Sequence, residues 1–191
     1  MQFKLVRGVG NYEQGTACIM SATVAYKRVL VGEDIGVATD ELSCVCPVIR
    51  RFLIGINDSN LWKDDLHRTR TLLPLIPRIV DTNNPDLLMK RCFLLTNWVF
   101  KVVLVKYFTN LNHQDLVKKF QDLPEIVDQE TALIAKNVAY VDYANTAANA
   151  AYAAANAAAY AAANAAAYAA ANAAAELTDV MDIINQLIDL E

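Results

Sequence analysis

The sequence predicts an all-α protein: a compact helical domain over residues 1–125, followed over 126–191 by a long alanine-rich helix and a terminal amphipathic helix. Three observations carry this. Apolar residues recur at helical spacing in most segments. Cap and turn residues punctuate those segments. Between positions 151 and 175, nineteen of twenty-five residues are alanine, the residue of highest helix propensity.

In chain order, residues 1–16 alternate loosely and contain Gly8, Gly10 and Gly15, which predicts a short extended arm. Over residues 17–31 apolar residues recur at Ile19, Val24, Val29 and Leu30, which predicts an amphipathic helix stopped by Gly32. Thr39 to Ser43 supply capping residues, and Pro47 fits a first helical turn; that helix runs to about Ile56 and stops at Asn57-Asp58-Ser59-Asn60. A helix over 61–73 is halted by Pro74 and Pro77. The longest apolar helix follows Asn83-Asn84-Pro85-Asp86 and reaches Phe108. A shorter one spans 112–121 and ends before Pro124. From Asp128 nothing stops a helix until Glu176, which at 1.5 Å per residue gives a rod on the order of 70 Å long. The last segment sets Val180, Ile183, Ile184, Leu187 and Ile188 on one face.

The tract has a strict four-residue period: Tyr152, Asn156, Tyr160, Asn164, Tyr168 and Asn172, with alanine between. These positions drift by about 40° per step and follow an i±4n ridge. Such a ridge with smooth alanine flanks suits packing on another helix, with tyrosine anchors and asparagine amides, and predicts a homo-oligomer. A helical spacer is the alternative.

Composition excludes several classes. Charged residues at 20% and aromatics at 8% do not describe a disordered chain, and six glycines with five prolines exclude collagen-like or linker-rich chains. The net charge of −4 is split, with fourteen Lys/Arg against ten Asp/Glu over 1–111 and three against eleven thereafter. Either the first half meets an anion or the two halves of one fold neutralise each other, and neither half is basic enough for a duplex-DNA binder. The opening residues lack the apolar core of a secretory signal. The apolar runs are interrupted by Asn, Tyr and Lys, so no membrane span is expected and a cytoplasmic location is.

No phosphate loop, dinucleotide fingerprint, zinc-protease helix or nucleophile elbow occurs, and His67 and His113 lie in polar surroundings. A non-enzymatic protein without cofactor or metal is the expectation. Cys44-x-Cys46, with Cys18 and a histidine, is poorly spaced for zinc. Cys18 and Cys46, the latter just before a helix start, are candidate reactive thiols, with core packing as the alternative. Arg50, Arg51, Arg68, Arg70 and Arg78 cluster along the helices of the first half. If those helices are neighbours, their guanidinium groups converge on an anion, with Tyr12 or Trp62 to stack a base; a solvated surface with scattered ion pairs is the alternative.

The motifs Gly15-x-x-Cys18-x-Met20-Ser21-Ala22, Cys44-x-Cys46-Pro47-Val48-Ile49 and Leu73-Pro74-Leu75-Ile76-Pro77 resemble a group of uncharacterised bacterial and bacteriophage proteins with alanine-rich tails. The resemblance covers roughly the first 80 residues and implies no activity. It suggests a phage-encoded protein at work in a bacterial host. Two functions are therefore expected, in this order: an oligomeric protein that holds a small anionic ligand such as a cyclic or linear nucleotide, sequestering it from host signalling; or a structural assembly protein acting through the alanine-rich helix. A cysteine-dependent enzyme is a third.

Overall fold

A computed structural model describes residues 3–141 and 177–190. It is helical, as the sequence predicts, with one two-stranded sheet. The chain divides into two compact units, 1–84 and 85–191, and the sequence-level boundary near residue 125 falls inside the second.

The first unit begins with the arm, which is not a free extension. Strand β1 (Lys4–Leu5) pairs in parallel with β2 (Thr16–Ala17), and Gly10 closes the connection with φ 86°. A Cβ there would stand 2.5 Å from the Ala17 Cα, so only glycine fits. Helix α1 (Ile19–Leu30) follows, with Cys18 as its N-cap. Helix α2 (Pro47–Asp58) starts on its proline because a first-turn residue needs no N–H partner. The buried Asn57 amide ties three segments together. Its Nδ2 donates to the Val6 carbonyl at 2.8 Å and its Oδ1 accepts from the Ile19 N–H at 3.2 Å.

Helix α3 (Asp65–Leu72) is shorter than the run 61–73 suggests. Asp64 caps it, its carboxylate accepting the His67 N–H at 2.7 Å, while Trp62 turns inward and donates its indole N–H to the Ile56 carbonyl at 2.8 Å. Pro74 and Pro77 do not merely halt the chain. Each occupies the start of a new turn, a 3₁₀ turn over Leu73–Leu75 and the short α4 (Ile76–Ile79).

In the second unit, α5 (Pro85–Trp98) continues through a wider π-helical stretch (Val99–Leu104) into α6 (Val105–Asn110). Helix α7 (Gln114–Gln121) packs Phe120 against Phe100 and Phe108, ring centroids 5.8 and 5.5 Å apart. Lys101, on the π-helical stretch, donates to the Gln121 carbonyl at 2.8 Å and to that of Leu123, satisfying acceptors where α7 ends. Helix α8 (Gln129–Val141) starts where the Asp128 carboxylate accepts the Thr131 N–H at 2.9 Å. The terminal α9 (Leu177–Asp189) buries Val180, Ile183, Ile184, Leu187 and Ile188, the five positions that the sequence aligns on one face. It packs on α5, with the Arg91 Nε donating to the Leu187 carbonyl at 2.9 Å and Lys106 pairing with Asp179 at 2.5 Å.

Candidate functional site

The arginines grouped by sequence have different fates. Arg68 is buried, 3% exposed. Its Nη1 donates to the Leu5 carbonyl at 3.3 Å and to the Asp65 carboxylate at 2.5 Å. It therefore holds strand β1 against α3 and is not offered to a ligand. Arg50 and Arg51 are half-buried on α2, and these two and Arg78 are engaged by neighbouring groups. Arg70 is different. It lies exposed in the last turn of α3, and none of the hydrogen bonds or ion pairs among the described residues uses its guanidinium.

Arg70 stands on an open groove of about 770 Å³ between the arm and α3. Lys4 is its second cation, held 3.1 Å from Asp65. Lys4 first, and Arg68 behind it, hold the Asp65 carboxyl below the usual carboxylate range. The apolar surface comes from Phe3, Leu66, Leu73 and Pro74, with Leu66 53% exposed. Leu66, Arg70 and Leu73 are spaced i, i+4, i+7, one face of a helix. Gly15 and Thr69 complete the wall. The Thr69 hydroxyl is occupied in both directions, accepting the Leu5 N–H at 2.8 Å and donating to the Asp65 carbonyl at 2.6 Å. The volume lies within the range of small-molecule sites, about 300–1,000 Å³, and no acidic side chain lines it.

The two aromatic rings proposed for stacking are committed elsewhere. Trp62 is buried with its N–H bonded. Tyr12 lies against Phe3, centroids 5.1 Å apart, and donates its hydroxyl to the Ser21 carbonyl at 2.6 Å. Burial pushes its phenol up, opposed by the nearby Arg28. Neither ring lines the groove.

No disulfide joins the four cysteines, all of which lie among the described residues. Cys18 is buried and caps α1, its Sγ accepting the Ser21 N–H at 3.2 Å. Burial pushes this thiol up despite that bond, which opposes thiolate formation. Cys46 is completely buried at the start of α2. Among the described residues no three His, Cys, Asp or Glu side chains converge as metal ligands, and no helix is long and apolar enough to cross a membrane.

No family model, curated protein or solved structure matches this chain.

A second groove, of about 620 Å³, lies where α8 meets the end of α7. Leu123, Pro124, Ile134 and Val138 line it, with Lys119 and Asp122 carrying opposite charges. Leu133 and Ile134 of α8 are both exposed. The tract positions Tyr152, Asn156, Tyr160, Asn164, Tyr168 and Asn172 lie outside the described residues.

Proposed function

We propose that the protein is a non-enzymatic binding protein whose first unit holds a small anionic ligand in the groove between the arm and α3. The observation that carries this reading is Arg70: a guanidinium with no partner among the described residues, on a groove of ligand size with a second cation and no acid. A guanidinium so placed is a fork for carboxylate or phosphate. Sequestration of a signalling nucleotide by an oligomeric phage protein is the widest form of this proposal, and it requires only that the groove hold the anionic group, without recognition of the base. Calorimetric titration with a panel of small carboxylates, phosphates and linear and cyclic nucleotides tests it. Binding by at least one member, weakened about tenfold or more in Arg70→Gln, is the expected result; no heat across the panel would sink it.

A second reading is assembly through α8 and the alanine-rich tract, favoured by the exposed Leu133 and Ile134 beside the second groove. Light scattering on a variant with Tyr152, Tyr160 and Tyr168 changed to alanine should then show a smaller particle; an unchanged mass counts against it.

A further inference from the structure

The groove on α3 also restricts what kind of anion it accepts, an inference that rests on the ligand-binding reading above. A site that distinguishes nucleobases needs groups matching the donors and acceptors on the base edge, since a buried polar edge left unpaired is costly. The side chains lining this groove carry no free acceptor. Lys4 and Arg70 are donors only. Thr69 uses its hydroxyl in both directions within the protein. The other side-chain surface is hydrocarbon or aromatic ring, from Phe3, Leu66, Leu73 and Pro74.

The exposed leucine is the second element. Leu66 lies one helical turn before Arg70, and Leu73 follows about one turn after it, so a strip of hydrocarbon runs past the guanidinium on both sides. A ligand that places its charge on Arg70 must lay the rest of its body along that strip. The apolar surface is then covered on binding, at a gain proportional to the area removed from water. Lys4 shares the Asp65 carboxylate with the buried Arg68, so Arg70 is the cation lining the groove that has no acid partner among the described residues.

We infer that the groove takes a free amphiphilic monoanion, a carboxylate or similar head on an apolar chain or ring, with Arg70 holding the head and the Leu66–Leu73–Pro74 strip holding the body. The specificity is for hydrocarbon length and sign of charge, not for a base.

Titration of the full chain with octanoate, nonanoate and decanoate, all below their micellar concentrations, tests this. Protein amide NMR spectra locate the binding. The expected result is a Kd that tightens about two- to fourfold per methylene, as partial to full burial of each CH2 requires. Shifts should centre on Leu66, Arg70 and Leu73, and decylamine should not bind. Arg70→Gln should weaken decanoate about tenfold or more, and Leu66→Ser should flatten the chain-length dependence while inorganic phosphate binding is unmoved. A Kd independent of chain length would overturn the inference while leaving an anion site in place. So would nucleotide binding that discriminates between bases. Sedimentation with phosphatidylglycerol vesicles, without decanoate binding, would overturn it in favour of a membrane surface. Failure of every anion to bind would remove the ligand-binding reading itself.

Discussion

Each of the two units keeps one arginine almost wholly out of water, and the two are used differently. In the first unit Arg68, 3% exposed, bonds a strand carbonyl and a carboxylate. In the second Arg91, 2% exposed, reaches the carbonyls of Leu187 and Leu190 at the end of α9, where unpaired acceptors and the negative end of the helix favour a cation. Both fasten a chain terminus, the N-terminal arm in one and the C-terminal helix in the other. The difference lies beside them. Two residues after Arg68, about 200° around the helix, Arg70 is left at the surface on a ligand-sized groove. A buried guanidinium thus serves the fold, and the cation that the fold leaves over is the one open to a ligand.

The comparison breaks most visibly in the cores. Phe100→Ala should cost the second unit about 3–5 kcal/mol, since Phe100 is completely buried against Phe120; urea denaturation measures it, and a loss below about 1 kcal/mol would mean the aromatic cluster is not central. Arg91→Ala comes next, at roughly 2–4 kcal/mol, because it strands buried carbonyls. Hydrogen exchange should show α9 amides losing protection first. Gly10→Ala belongs in the same range. It puts a Cβ against Ala17 at positive φ, and the accompanying readout is loss of arm protection around Leu5. Smaller is the acid response of the first unit. The Asp65 carboxyl is held below its unfolded value of about 3.9, so its contribution is present above that pH and is lost as pH falls through the lower folded value. The urea midpoint should therefore drop between pH 5 and pH 2.5, and Asp65→Asn should remove part of that drop.

The helices were legible wherever the pattern is local. α9 shows its buried face as a plain 3.6-residue period, and α2 shows its start as Pro47. The arm was not, because two-residue strands have almost no local signal: Leu5 is placed by Thr69 and Arg68, more than sixty residues on. Nor was the inward turn of Trp62, whose partner, the Ile56 carbonyl, carries no side-chain signature. Part of the site was readable. Arg68 and Leu72 are an i, i+4 pair, and Leu72 is fully buried, so Arg68 faces inward; Arg70, two residues on, faces away. Arg68 and Arg70 therefore point to opposite sides of α3 although the sequence groups them together. Counted on the structural units, residues 1–84 carry ten Lys/Arg against nine Asp/Glu, so the case for an anion rests on one unpartnered guanidinium and not on a basic half.

The most direct test compares Arg70→Gln with Arg78→Gln, an exposed arginine of the same unit that is engaged by its neighbours. Both variants are titrated with the tightest anion found for the unaltered chain, and their urea midpoints are recorded alongside. Arg70→Gln should weaken binding about tenfold or more at unchanged stability, while Arg78→Gln should bind as the unaltered chain does. Equal affinity in all three proteins would contradict this role for Arg70.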